Sequence, residues 1–494
     1  MEMAKNGVVA NLSTTLPLLR SHSPHLLQIQ NMTKDLSKPA KATCPFRYTT
    51  PLGTGDAYSK PTRDPTWFET IMQMFQIHTI CHPKGILARV IQPLINLWEG
   101  QVANLPYYLS YQRAAFGENF CAAGQVVLGE WKEVERALTS PQARTFRLGT
   151  APMSEARCPK AYGKTSFLLA LSQQGAGGDG SWEAYNGAFH KYIIDNGAYA
   201  RQDDPTAQAL MEKLVEDYKT MDHGEGGEFF KSTKGGIMPF FNKYIHYCLW
   251  GIDPKDEETV NTLLQFYYGG APPAAYYLGA FGAIFNRQNK DFAPSMREVE
   301  KIYENAPALK NFDSSAVKGI TKRQMADLTL PLMGIAATQG PLHLICIAMG
   351  GWPMREYKEG VDTSKIKPTD IWDKLNLDDE KEVQDYLLEC GRLDQPVGHV
   401  HRVAQEELTV EMRGKNRTFP KGTIISIPIN MSCVNKDLYG DDVFEFDHKR
   451  KNLRENSTIF NSVGNNSAGR VCPGRIFAMR MMTEILQKTG KTRR

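Results

Sequence analysis

Three stretches decide how this chain is read: Glu389-Cys390-Gly391-Arg392, Phe446-Asp447-His448-Lys449-Arg450 and Arg470-Val471-Cys472-Pro473-Gly474. In the first, a carboxylate and a guanidinium stand three residues apart on one helical face, where they can pair and still reach a third partner. Taken alone this pattern says little, because any surface helix can carry such a pair. The second stretch places an arginine four residues after a phenylalanine in a loop. The third sets a cysteine in a Gly-containing loop that opens a helix. Backbone N–H groups and a basic neighbour there favour the thiolate. A lone cysteine is more often a small buried hydrophobe than a reactive group, so the ordered set matters more than any member.

A thiolate so placed can ligate haem iron and push electron density onto the metal. With its three stretches in this order the chain resembles the cytochrome P450 family. The resemblance implies a mainly α fold with a small β region that binds one haem b, its iron held axially by Cys472. Glu389, Arg392 and Arg450 would then form the buried charge cluster behind the cofactor. Arg470 would pair with one haem propionate and Arg402 with the other, with Gly474 in the cofactor loop. Trp182-Glu183-Ala184-Tyr185-Asn186 is similar to the helix whose Trp and following Arg hold a propionate; here Asn186 stands at the Arg position, and His190 or Lys191 a turn later is either the substitute or a solvated helix residue. Pro93 to Leu97 resembles the family's entry segment, Val126 to Leu138 its first strand pair and helix, and Arg402 to Ile429 its later strand region. The likeness starts at about residue 85 and is strongest after Glu389.

The departures bear on mechanism. In Gly334-Ile335-Ala336-Ala337-Thr338 the position of the family's oxygen-activating acid is Ala337, while Thr338 is kept as a group able to hydrogen-bond a distal oxygen or substrate. Counting back from Cys472 puts Asn465 at the family's Phe position and Ala468 at its Gly position; the alternative is that Phe460 and Gly464 are those residues, displaced by an insertion. Few residues follow Cys472, so the hairpin that often closes the substrate pocket is expected to be short or absent. The leading expectation is a monooxygenase acting on an apolar small molecule, with electrons from a separate redox partner, because no flavin or iron–sulfur motif occurs in the chain. A hydroperoxide isomerase, lyase or peroxygenase, which needs neither reductase nor acid and would take a fatty-acid-derived substrate, is the alternative. A haem-binding sensor or carrier is the non-catalytic one.

The chain has 494 residues, 41% hydrophobic and 23% charged, enough to bury a large core. Lys plus Arg number 58 and Asp plus Glu 54, and the net charge of +4 gives no reason to expect nucleic acid. Nine scattered cysteines without a Cys-x-x-Cys pair argue against a disulfide scaffold or structural zinc site and for a reducing, intracellular compartment. No run of roughly 18 apolar residues is present. The richest, Trp67 to Trp98, is interrupted by charges and prolines and suits peripheral membrane contact at most. Residues 1–65 read as a Ser-, Thr-, Pro- and Lys-rich tail, or as a targeting segment for a plastid or mitochondrion, ahead of one domain over 66–494.

Along that domain, Val126 to Leu128 reads as a strand feeding a helix over Trp131 to Leu138. Trp182, Tyr185, Phe189 and Ile193 share one helical face. Ala207 to Leu249 reads as helices joined by the Gly-rich turn His223 to Gly227, and Phe266 to Phe285 as a helix pair around Pro272-Pro273, more core than pocket. Leu328 to Met349, free of Asp, Glu, Lys and Arg, belongs in the centre of a large protein. A helix over Glu382 to Glu389, strands from Arg402 to Ile429 and a helix over Gly474 to Leu486 complete the expectation.

Overall fold

The computed structural model describes residues 119–122, 125–139, 182–268, 289–317, 320–354, 367–398, 400–404, 406–412, 414–465 and 470–493. The expected tail, the Trp67 to Trp98 run, Pro93 to Leu97, Ala468 and most of Phe266 to Phe285 lie outside them.

The β region is built from short pieces. β1 (Asn119–Ala122) and β2 (Gln125–Leu128) form an antiparallel hairpin. β3 (Val400–Val403), β4 (Leu408–Met412), β5 (Lys415–Phe419) and β6 (Ile424–Ile427) come from the far end of the sequence. The larger sheet runs β1-β2-β6-β3, with β2 and β6 parallel and the other pairs antiparallel. β4 and β5 pair by themselves, Leu408, Val410 and Met412 pointing inward and Thr409 and Glu411 outward, the period-2 pattern of a half-covered strand. The buried Asn119 side chain stitches the two parts together. It donates to the Glu411 carbonyl at 3.0 Å and to Glu130 Oε2 at 2.9 Å, and accepts from the backbone of Gly129 and Glu130. Helix α1 (Trp131–Thr139) lays Val134, Ala137 and Leu138 into the apolar layer of Val126, Leu128, Val410, Ile425 and Ile427.

The helical body follows. α2 (Trp182–Phe189) passes into a π-helical turn, His190–Ile194, and keeps Tyr185, Phe189 and Ile193 buried on one face. α3 (Ala198–Gln202) leads to α4 (Pro205–Thr220), which starts where Asp204 accepts from the N–H groups of Thr206 and Ala207 and Pro205 fills a position that needs no donor. α5 (Ile237–Ile245) runs on into the π-helical His246–Trp250. α6 (Glu257–Tyr268) and α7 (Asn289–Glu304) bracket the segment expected as a helix pair.

The apolar stretch around residue 340 is the centre, as its composition requires. α8 (Lys322–Leu332), a π-helical stretch Met333–Gln339 and α9 (Gly340–Ala348) form one continuous helical run. Pro331 and Pro341, read from sequence as interruptions, are carried through it; each withholds one N–H, and the wide turn lies between them. α10 (Glu380–Leu393) packs on α9 and on α11 (Arg475–Arg493), which also packs on α4. Trp250, Trp372, Tyr386 and Tyr303 are fully buried among these helices. No helix among the described residues is long and apolar enough to cross a membrane.

Candidate functional site

Glu389 and Arg392 occupy the inward face of α10, 0% and 2% exposed. The guanidinium straddles the carboxylate, Nε to Oε2 at 2.7 Å and Nη2 to Oε1 at 2.8 Å, the two-pronged geometry that only arginine offers. Its remaining donors reach the carbonyls of Cys433 at 3.0 Å and Val443 at 2.7 Å, while the ring of Tyr439 lies 4.9 Å from the guanidinium carbon. Burial pulls the Arg392 pKa down and Glu389 more than restores it. Arg450 comes from the loop to join them: Nε is 3.7 Å from Glu389 Oε1, and its fork holds the carbonyls of Tyr439, Asp442 and Glu445. The Asp447 N–H closes the set on Glu389 at 3.0 Å. α10 is thereby bolted to the long loop of residues 433–450.

The same loop continues to the cysteine. The Cys472 N–H donates to the Phe460 carbonyl at 2.8 Å, and its own carbonyl accepts from Arg475, the first residue of α11. Between them Gly464 has φ +53°, and a Cβ there would stand 2.6 Å from the Glu455 carbonyl, so only glycine fits. Phe460, one residue of the insertion alternative, thus contacts the cysteine through its backbone, Gly464, the other, accepts from Arg475 at 3.3 Å, and Asn465 is exposed. Cys472 is partly exposed at the head of α11. Burial raises its thiol pKa, and the Gly474 N–H and Arg475 work against that rise by favouring the thiolate.

Arg402, on β3, and Arg470, just before the cysteine, are each 1% exposed. Asn461 connects them, accepting from Arg402 Nη2 at 3.4 Å and donating to the Arg470 carbonyl at 2.6 Å. It sits at φ +56°, a conformation asparagine tolerates better than other side chains. Burial, and then repulsion from Arg470, pushes Arg402 down to about 9; burial pushes Arg470 down to about 10. Two buried guanidiniums side by side, one of them repelled by the other, suit the carboxylates of a bound group.

The wide turn of the central helix carries the remaining candidates. Ala337 is half-buried, and Thr338 is fully buried with its Oγ1 donating to the Gly334 carbonyl at 3.2 Å, the local back-bond of an ordinary helix threonine. Trp182 lies in α2, and His190, half-buried, opens the π-helical turn after it. Gly474 is at the mouth of the cysteine loop; a Cβ on it would stand 4.0 Å from the Cys472 sulfur. A groove of about 590 Å³ opens beside this loop, lined among others by Phe460, Gly464, Arg454, Arg475 and Met479. Among the described residues no cluster of three or more His, Cys, Asp and Glu side chains could hold a metal ion.

Asn461 and the buried set Gln395, Cys433 and Thr458 escape the sequence reading. Cys433 Sγ lies 2.7 Å from Gln395 Oε1 and 3.1 Å from Thr458 Oγ1, tying the end of α10 to the cysteine loop. An Asn between Phe460 and the cysteine was the available signal, since asparagine is enriched where the backbone turns left-handed.

No family model and no curated protein matches the chain. Solved structures do. CYP164A2 of Mycobacterium smegmatis in its ligand-free state superposes with a TM-score of 0.53 at 15% identity, over 86% of this chain and 92% of that one. The P450 haem domain of Tepidiphilus thermophilus gives 0.52 at 14%, over 79% and 88%. The chain has the cytochrome P450 fold. P450BioI, solved with an acyl carrier protein ligated to hexadec-9Z-enoic acid, gives 0.51 at 14%, over 78% and 91%. At these identities the likeness is one of fold, and within that P450 fold the charge cluster, the paired arginines and the cysteine loop are this chain's own geometry.

Proposed function

We propose that this chain is a haem-thiolate oxidoreductase of the monooxygenase type, acting on an apolar small molecule. The single observation that carries the reading is the placing of Cys472 at the head of α11, two residues after the buried Arg470, which Asn461 ties to the buried Arg402: a sulfur ligand beside two guanidiniums. Bound there, haem b would supply one-electron and oxygen chemistry at an iron held by the Cys472 thiolate. The chain's residues do the rest. Arg402 and Arg470 would hold the two propionates. The Gly474 N–H and Arg475 favour the Cys472 thiolate against the burial that opposes it. The Glu389–Arg392–Arg450 cluster fixes the loop that presents it, and Thr338, its proton on the Gly334 carbonyl, would have oxygen lone pairs to offer a bound ligand. Electrons would come from a separate redox partner, for which the groove beside Phe460, Arg454 and Arg475 is a docking place next to the cysteine loop.

One observation favours a second reading, the rearrangement or peroxygenase use of a fatty-acid hydroperoxide. The wide turn has Ala337 where an acid would deliver protons, and the hydroxyl of Thr338 is already engaged. A substrate that brings its own O–O bond needs neither. A structural neighbour solved with a fatty-acid-loaded acyl carrier protein makes fatty-acid-derived molecules the first class to try.

The test is the absorption spectrum of haem-loaded protein, reduced under carbon monoxide, with an unreduced sample given a fatty-acid hydroperoxide. A thiolate-type spectrum with inert hydroperoxide supports the monooxygenase, and rapid hydroperoxide loss supports the second reading. Cys472→Ala abolishes the thiolate signature, and Cys472→His replaces it with that of a nitrogen ligand. An unchanged spectrum in both variants removes Cys472 from the iron.

A further inference from the structure

The end of α6 is sewn to the central helix at two points. The Tyr267 hydroxyl lies 3.2 Å from the Leu330 carbonyl, and Gln339 Nε2 donates to the Tyr267 carbonyl at 3.3 Å. These contacts bracket the wide turn that carries Ala337 and Thr338. The next and last residue of α6, Tyr268, is 8% exposed; its hydroxyl is buried near the Thr338 side chain and makes no well-formed hydrogen bond among the described residues. Burial raises the Tyr268 pKa well beyond that of an ordinary phenol, against a smaller opposing pull from Thr338, so the group stays a neutral O–H at any working pH.

A buried hydroxyl without a well-formed hydrogen bond carries a desolvation cost that phenylalanine in the same space would not incur. Its neighbours show what a satisfied tyrosine looks like in this core. Tyr303 lies 2.8 Å from His246 Nε2 and Tyr267 lies 2.6 Å from Tyr303, both within a closed network. Tyr268 stands outside that network and next to the turn where this chain lacks an acid.

We propose that the Tyr268 hydroxyl donates a hydrogen bond to an oxygen atom of the bound substrate, so that the pocket selects an apolar molecule bearing a hydroxyl, carbonyl or hydroperoxide group over a plain hydrocarbon. This deepens the haem-thiolate reading and rests on it for the place of the pocket. Tyr268 is a specificity residue here, beside Thr338.

Two probes of nearly equal shape test it: 1-octanol, whose oxygen accepts well, and 1-chlorooctane, whose chlorine accepts poorly. Each is titrated by calorimetry into haem-loaded wild type and Tyr268→Phe. Loss of one hydrogen bond weakens octanol binding in the variant by roughly fivefold to tenfold and leaves chlorooctane within twofold. The ligand-free variant melts no lower than wild type, because the hydroxyl it loses makes no well-formed hydrogen bond among the described residues. Equal weakening of both probes, unchanged octanol binding, no binding of octanol to wild type, or a variant melting several degrees lower each overturns the proposal. The carbon monoxide spectrum of the same wild-type sample reports separately on the thiolate, so failure of the cofactor reading is distinguishable from failure of the hydrogen bond.

Discussion

At the scale of single residues, titratable groups held away from water give the sharpest expectations. Arg402 has a folded pKa of about 9, below the ordinary guanidinium range, so from there up to that range the unfolded chain binds more protons. The destabilisation is therefore complete below pH 9 and is relieved as pH rises through that window. Measured against haem-free Arg402→Met, haem-free wild type should gain stability in urea unfolding as pH rises above 9 and show no such gain between pH 7 and 8. The same variant should lose haem faster in transfer to an acceptor protein. His246 gives the acid-side counterpart. Its Nδ1–H donates to the Asn242 carbonyl at 2.6 Å, which leaves Nε2 to accept from Tyr303 at 2.8 Å, and burial pushes its pKa down to about 4. The unfolded chain takes up its proton first, near 6.5, so stability falls as pH drops from there toward 4. Against His246→Asn, wild type should lose about 3 kcal/mol more across that interval.

At the scale of elements, the bolt between α10 and the loop of residues 433–450 dominates. Arg392→Ala would strand a fully buried carboxylate and the carbonyls of Cys433 and Val443, an expected loss of about 3–5 kcal/mol in denaturant unfolding. Lysine cannot rescue it, because a single ammonium cannot span both carboxylate oxygens. The Glu389–Arg392 spacing, the arginine four after Phe446 and the cysteine before α11 were all visible in sequence, since each is a local pattern of charge or backbone. The offset of Phe460 and Gly464 was visible only as an alternative, and what demands a glycine at 464, the Glu455 carbonyl against it, is a contact no spacing reveals. Thr338 looked the same on paper whether it served a ligand or its own backbone. Tyr268 was hidden in an aromatic run that reads as core, and what separates it from Tyr267 is a well-formed hydrogen bond that Tyr267 makes and Tyr268, among the described residues, does not.

For the whole molecule, the helical body and its small sheet were legible from the apolar stretch around residue 340 and the alternation after Arg402. The order of strands was not, because pairing over long separations leaves no periodic trace. That order has its own consequence. β2 lies parallel to β6, Val126 opposite Ile425 and Val127 opposite Ser426. During synthesis the hairpin of β1 and β2 therefore leaves the ribosome long before its partner exists, with an open apolar edge of the kind that recruits stray strands. Such high contact order makes sheet closure a late and slow event. The newborn chain would depend on chaperone cover until almost all of it has been made.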